Sequence, residues 1–153
     1  MKRRVSKMYQ SGISLLEVLL SLSIIAIILV MATRYYFVAS NNDRINTVRQ
    51  QIGSLIAAVT EWKGQNARYD SGLSVATLYK DGMLAKSTSL VVSGDDANLY
   101  DPWGDEITVT GEANSATIAV TLPKMSDCIA LQNSYQNASC NGNQSGDFML
   151  VLR

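Results

Sequence analysis

Histidine is absent from this chain of 153 residues. Because histidine is the commonest general base and a frequent zinc ligand, its absence excludes a histidine-dependent hydrolase and most zinc sites. The sequence also lacks a phosphate-binding loop, a nucleophile motif and a set of metal ligands at recognisable spacing. A lysine-based hydrolase stays open, but the residues favour a protein that is not an enzyme and needs no metal and no cofactor.

Proline and charge are both missing from much of the N-terminal half. No proline lies between Ile13 and Lys63, and residues 18–32 carry no charge. Since proline breaks helices, we predict one helix of about 50 residues, roughly 75 Å long at 1.5 Å per residue. Its apolar first half, residues 13–33, is predicted to lie in a membrane, and the basic residues within 1–12 mark the cytoplasmic side.

One carboxylate, Glu17, stands at the start of the apolar run. A charged side chain costs about 2.5–3.5 kcal/mol at the centre of a membrane helix and less near its ends, so this residue indicates a function and a partner. A cut after Gly12 would create a cationic α-amine on Ile13 at the same depth. That amine points along its own helix axis, so Glu17 is better placed to meet the amine of a neighbouring subunit. The arrangement implies a polymer.

A basic leader, a glycine at the cut, an apolar helix and glutamate as the fifth residue after the cut together resemble the class III signal peptide of type IV pilins. The resemblance implies that residues 1–12 are a leader, which prepilin peptidase removes by cutting between Gly12 and Ile13. It also implies that the peptidase N-methylates Ile13 and that Glu17 acts in filament assembly. Many members have phenylalanine where this chain has Ile13, which favours the type IVb branch.

Three simpler interpretations compete for the same segment. Ser14 and Glu17 have the spacing of a capping box, which would satisfy free amides at a helix start. An ordinary secretory signal could instead be cut after Ala32, although a glutamate leading into its apolar core argues against this. Finally, the run could be an uncleaved membrane anchor, an interpretation that leaves Glu17 unexplained.

Beyond the apolar run the pattern becomes amphipathic. Apolar residues recur at steps of three and four, which is typical of one buried helix face: Ile45, Val48, Ile52, Leu55, Val59 and Trp62. Polar residues, Gln51 among them, fall between these positions. We expect residues 34–63 to pack on a sheet and to end at Gly64, although a short coiled-coil seam fits the same steps.

The remaining residues, 64–153, are predicted to form a globular head. Ser74 could cap a short helix, and four segments are β-branched or alternating, at residues 90–92, 106–110, 116–122 and 148–152. A helix followed by such strands predicts an α+β fold in which the long N-terminal helix packs on an antiparallel sheet, similar to type IV pilins. The Asp101–Gly104 segment is predicted to be a turn, and a similar Pro-Trp-Gly turn recurs in pilins and pseudopilins. Neighbouring acidic residues are more typical of solvated turns than of a calcium site.

The two cysteines, Cys128 and Cys140, indicate one disulfide in a chain exported from the cytoplasm, with unbridged thiols as the alternative. A disulfide closing a loop of this size contributes about 2–3 kcal/mol in the chain-entropy model. Cys128 is expected near the start of a helix running from Asp127 to about Gln136, with Cys140 in the loop beyond it. The segment resembles the disulfide-bounded C-terminal region of type IV pilins, and its proline before the helix looks closest to type IVb.

The resemblance implies a structural subunit of a type IVb-like pilus that serves adhesion, conjugation, DNA transfer or motility. The implied partners are other pilin subunits in a homopolymer, prepilin peptidase, an inner-membrane assembly platform, and the membrane itself before assembly. The subunit would cross the bacterial inner membrane once, with its head outside the cytoplasm, and then join a cell-surface pilus. Loss of the basic leader leaves an acidic chain, so direct nucleic-acid binding is not predicted. The alternatives are a type II secretion pseudopilin and a membrane-tethered binding domain that never polymerises.

Overall fold

The computed structural model of the protein describes residues 14–153. The chain divides at Asn41 and Asn42 into two compact units, which are described separately. Three helices occur in the described residues, α1 (Leu15–Asn66), α2 (Val75–Lys80) and α3 (Met125–Gln132). The six strands are β1 (Leu90–Ser93), β2 (Asp96–Tyr100), β3 (Glu106–Glu112), β4 (Ser115–Leu122), β5 (Ala138–Asn141) and β6 (Gly146–Leu152).

The predicted end of the long helix at Gly64 is wrong, because α1 continues to Asn66. The side-chain amide of Asn66 donates to the carbonyl oxygen of Trp62 at 3.0 Å, and Ala67 adopts a left-handed conformation with φ of 62°. A left-handed residue directly after a helix is a common way to end it. The exposed Gly64 is tolerated within the last turn, at a cost of about 1 kcal/mol relative to alanine.

In the first unit, the apolar residues of α1 are exposed throughout. Large apolar side chains from Leu15 to Val38 retain between 41% and 81% of their accessible surface. Continuous exposed apolar surface of this kind is typical of a membrane contact or of an interface between proteins.

In the second unit, the predicted stripe of α1 is buried. Ile45, Val48, Ile52, Leu55, Val59 and Trp62 all belong to the hydrophobic core. The prediction that Gln51 lies on the polar face is wrong, because Gln51 is buried together with Ala58. The buried face is therefore wider than the steps of three and four indicated, and one amide must find a hydrogen-bond partner inside the protein.

The six strands form one antiparallel sheet in the order β1-β2-β3-β4-β6-β5. Alternate residues of β3 and β4 are buried, as expected for a sheet with one face on a core. The long N-terminal helix packs with this sheet in an α+β fold of the type IV pilin kind, as predicted.

Strand β2 was not predicted from the sequence. Asp96 and Asn98 are poor strand formers, but Ala97 and Leu99 alternate with them and are buried. Residues 96–99 of the strand pair with β1, whereas its pairing with β3 includes only the partners Leu99 with Ile107 and Tyr100 with Glu106.

The connections follow the predicted chemistry with two corrections. Ser74 caps α2, since its hydroxyl oxygen accepts from the amide of Thr77 at 3.2 Å. Helix α3 begins at Met125, before the predicted Asp127, and ends at Gln132 instead of Gln136. Cys140 lies in strand β5 and not in a loop.

Candidate functional site

Glu17 lies in the first turn of α1 and is exposed. Its amide donates to the carbonyl oxygen of Ser14 at 2.9 Å, and the amide of Val18 donates to the same oxygen at 3.2 Å. These bonds use the Ser14 carbonyl, whereas a capping box would use the Ser14 hydroxyl. A carboxylate at the first turn interacts favourably with the helix dipole, typically by about 0.3–1 kcal/mol. Among residues 14–153 no cationic side chain forms an ion pair with it.

The residues on either side of the predicted cut, Gly12 and Ile13, lie outside the described residues. The pairing of Glu17 with the α-amine of Ile13, the cleavage and the N-methylation therefore remain predictions. The described part of the segment places Glu17 at the start of a helix whose outer surface is apolar.

The apolar part of α1 contains hydroxyl groups that are satisfied within the helix. Ser21 donates to the carbonyl oxygen of Val18 at 2.8 Å, and Ser23 donates to that of Leu20 at 2.7 Å. Thr33 reaches the carbonyl of Leu29 in the same way, at 2.8 Å. Unsatisfied polar groups are costly in lipid, so these bonds allow hydroxyls in an apolar environment. By length and composition alone, α1 is the one helix among the described residues that could cross a membrane.

The predicted disulfide joins Cys128 of α3 to Cys140 of β5, with the Cα atoms 6.0 Å apart. Cys128 is fully buried, and Cys140 lies opposite Phe148 of β6 in the sheet register. Gly146 packs so closely on the crosslink that a Cβ there would collide with Cys128 Cβ. The disulfide therefore fastens α3 to the edge strand of the sheet, next to the exposed loop of residues 142–145.

Tyr135 connects this C-terminal region to α1. Its ring meets Phe148 edge-on, with the centroids 6.0 Å apart, and its hydroxyl donates to the carbonyl oxygen of Arg49 at 3.3 Å. Burial raises the pKa of the Tyr135 hydroxyl, and the positive charge of Arg49 acts in the opposite direction. The hydroxyl consequently stays protonated and remains a donor at neutral pH.

The acidic residues between β1 and β3 do not converge on one point. Asp101 is buried in its turn, where its Oδ1 accepts from the amides of Trp103 and Asp105 at 2.9 Å each. Gly104 has a φ of 96°, a conformation that glycine adopts without steric cost in turns. Asp95 forms an exposed ion pair with Lys80 at 3.5 Å. Within the described ranges no group of three or more metal-ligating side chains is assembled.

Two family models match the chain. The one described as Bundlin matches residues 37–146, which is more than two-thirds of the sequence, and the one described as the prokaryotic N-terminal methylation motif matches residues 7–33. The chain belongs to the Bundlin family of type IV pilins. Comparison with curated proteins and with solved structures finds no match.

Membership in this family identifies a pilin-type structural subunit, so the predicted role as a component of a filament is confirmed at that level. For a type IV pilin, the exposed apolar half of α1 is consistent with membrane anchoring before incorporation into a pilus. The family also implies polymerisation with other pilin subunits and processing by prepilin peptidase, and points to a structural role instead of an enzymatic one.

The sequence alone did not predict several contacts around the site. The contacts of Gly146 with the disulfide and of Tyr135 with α1 depend on tertiary packing that no local pattern signals. The hydroxyl bonds of Ser21, Ser23 and Thr33 could have been expected, because serine and threonine in apolar helices commonly bond to carbonyls three or four residues earlier.

Proposed function

We propose that the protein is a subunit of a type IVb-like pilus, in which Glu17 of one subunit pairs with the α-amine of Ile13 of its neighbour. Prepilin peptidase cuts between Gly12 and Ile13 and methylates the new amine. The apolar part of α1 holds the subunit in the inner membrane, with its head outside the cytoplasm, until an assembly platform extracts it. The filament then presents the C-terminal region to adhesion targets, other cells or DNA-transfer partners.

The observation that carries this proposal is the position of Glu17. It is an exposed carboxylate in the first turn of an apolar helix, and no cationic side chain among residues 14–153 pairs with it. Desolvating a carboxylate without a partner is costly, so a positive charge at the same depth, such as the α-amine of a neighbouring subunit, would stabilise it in a helix bundle. An ion pair of this kind adds little net stability, but it disfavours subunit registers that leave either charge unpaired.

The transfer of the apolar half of α1 from lipid to a bundle of helices favours reversible assembly. Lipid tails and packed apolar helices are similar in polarity, so moving the apolar residues of α1 from one to the other changes their burial little. A motor can therefore drive the process in either direction. The type IVb assignment is supported by the aliphatic Ile13 at the predicted cut and by the proline that precedes the cysteine-bearing helix α3.

The test combines processing and assembly. Intact mass and N-terminal sequencing of the native protein should give a chain that begins at N-methylated Ile13 and is found in the sheared surface fraction. Glu17→Ala and Glu17→Gln should leave cleavage intact and reduce filament yield at least tenfold, because both leave the amine without a carboxylate. Glu61→Gln, a matched change on the exposed face of α1, should leave the yield unchanged.

The outcomes separate the alternatives. A chain that still begins at Met1 contradicts processing and leaves a membrane-tethered domain. A processed chain confined to the periplasm indicates a type II secretion pseudopilin. Normal filament yield in both Glu17 variants would remove the carboxylate from the assembly mechanism.

A further inference from the structure

Four consecutive residues of α1, Arg34, Tyr35, Tyr36 and Phe37, form what we term the aromatic collar. Successive residues of an α-helix are about 100° apart, so four in a row point in four directions around the axis. All four are exposed, and Tyr35, Tyr36 and Phe37 retain 78%, 68% and 67% of their accessible surface. The collar therefore presents amphipathic side chains on every side of the helix.

The collar lies one hydrocarbon thickness from Glu17. Arg34 is the first charged residue after Glu17, and the distance between them along the helix is about 26 Å at 1.5 Å per residue. The hydrocarbon core of a bilayer is about 30 Å thick. The Cα–Cβ bonds of a helix tilt toward its N-terminus, so the rings of Tyr36 and Phe37 lean back toward the apolar run. These two rings meet edge-on, with centroids 6.1 Å apart and planes at 67°.

The chemistry of the collar fits the boundary between hydrocarbon and water. Tyrosine presents an apolar ring with a polar tip, and tyrosine is enriched where membrane helices leave the hydrocarbon. The Arg34 guanidinium is a donor for phosphate oxygens, and its aliphatic stem can stay in the apolar layer. A single docked helix would cover one side of the collar and leave the others in water. A lipid interface surrounds all four side chains at one depth.

We propose that the aromatic collar binds the phospholipid headgroup layer at the outer face of the membrane and fixes the depth of α1 before assembly. This inference rests on the proposed membrane anchoring. It assigns the surface to lipid, in addition to the filament contacts that the apolar part of the helix makes after extraction.

The experiment measures depth directly. The full-length chain, with its disulfide oxidised, is labelled with a nitroxide at Val38→Cys or at Ile27→Cys and reconstituted into vesicles. The vesicles contain one of three monounsaturated phosphatidylcholines of increasing chain length. Power saturation with oxygen and a water-soluble nickel chelate then gives the depth of each label. The test variant carries Tyr35→Ala, Tyr36→Ala and Phe37→Ala together, and the matched control carries Leu22→Ala, Ile24→Ala and Ile25→Ala.

With the collar intact, the label at residue 38 should stay at headgroup level in all three bilayers, because the helix tilts in the thinnest bilayer and the thicker bilayers thin locally around it. Without the collar it should follow the bilayer, with a shift of about 3 Å or more between the thinnest and the thickest. The control triple variant should behave like the wild type. The residue 27 label should lie in hydrocarbon in every case.

Two results would overturn the inference. If both triple variants keep the label at the same depth as the wild type while the residue 27 label lies in hydrocarbon, the collar does not set depth. If the collar variant keeps its depth but loses filament yield, the collar is a contact between subunits. Water exposure of the residue 27 label would be a different failure, since it would remove the membrane anchoring on which the inference rests.

Discussion

The side-chain amide of Gln51 donates to the carbonyl oxygen of Tyr100 at 2.8 Å, and this bond joins the buried face of α1 to the end of β2. The two residues are 49 positions apart in sequence. Gln51 is 9% exposed, and its Oε1 atom is buried with no hydrogen-bond partner in the described structure. The side-chain nitrogen of Gln51 therefore has a hydrogen-bond partner, whereas the burial of its unpaired oxygen lowers the stability of the fold.

Gln51→Glu should destabilise the second unit because it replaces the donor with an oxygen and places a charge in the core. We expect a loss of about 2 kcal/mol or more at neutral pH, since an unsatisfied buried group costs about 1–3 kcal/mol and a charged one costs more. Below about pH 4 the protonated carboxyl can donate to Tyr100 again, so the loss should shrink. Urea unfolding in detergent micelles, followed by Trp62 and Trp103 fluorescence, measures it.

Gln50→Glu is the matched control for this experiment, because Gln50 is the exposed neighbour and undergoes the same charge change. Its effect should stay within about 0.5 kcal/mol. Equal effects of the two substitutions would show that added charge, and not the buried bond to Tyr100, determines the result.

The disulfide should contribute about 3 kcal/mol to the stability of the head, according to the loop-closure entropy for this spacing. Cys128→Ala with Cys140→Ala should lower the unfolding free energy by about that amount. Treating the wild type with dithiothreitol separates the crosslink from the packing of buried Cys128, since reduction breaks the bond without removing the sulfur atoms. If the reduced wild type unfolds at the same urea concentration as the oxidised form, the crosslink does not stabilise the fold.

Gly111→Ala should destabilise the connection between α1 and α2. A Cβ at this position would collide with the carbonyl oxygen of Asp70 and lie 2.7 Å from the Cβ of Leu73. The loop is held in place there, because Asp70 accepts from the amide of Gly72 at 2.8 Å and from that of Leu73 at 3.2 Å. Overpacking of this kind costs about 1–3 kcal/mol, which urea unfolding should register.

Gly53→Ala provides the control for the added methyl group. Gly53 is exposed within α1, and a Cβ there meets nothing within 4 Å. Alanine in an open helical position is favoured over glycine by about 0.5–1 kcal/mol, so this variant should gain stability while Gly111→Ala loses it. Changes of the same sign would contradict the contact argument.

Local sequence patterns predicted the elements whose packing they directly encode. The stripe from Ile45 to Trp62 and the buried alternation of β4 follow from periodicities of 3.6 and 2, and both lie on the core as expected. The N-terminal motif and the cysteine pair are local as well, and their residue types and spacing alone were enough to indicate the pilin family.

The missed features are those that long-range contacts determine. Asp96 and Asn98 disfavour a strand, but the four residue pairs that β2 makes with β1 override that preference. Gln51 had the polarity of a surface residue, and only the position of Tyr100 makes its burial tolerable. Likewise, Gly64 had the right chemistry to end α1, whereas Asn66 and Ala67 supply the bonds and the conformation that end it.

Asp101 should make the stability of the head depend on pH in a direction opposite to that of a salt-bridged carboxylate. Burial raises the pKa of Asp101 above its ordinary value of 3.8, and this effect outweighs the lowering by the amides of Asp105, Trp103 and Gly104. The folded state therefore binds the Asp101 proton more tightly than the unfolded state does. The contribution of this residue to stability is greatest below about pH 4, and it declines as the pH rises through the raised pKa.

Asp101→Asn should remove this decline, because asparagine keeps the Oδ1 acceptor for the two amides but does not titrate. The free energy of unfolding, measured from about pH 3 to pH 7, should fall with rising pH more steeply, or rise less, in the wild type than in the variant. Asp96→Asn, at an exposed position in the neighbouring strand, should leave that pH profile unchanged. If Asp101→Asn and the wild type give parallel profiles, the buried carboxyl of Asp101 does not link proton binding to folding.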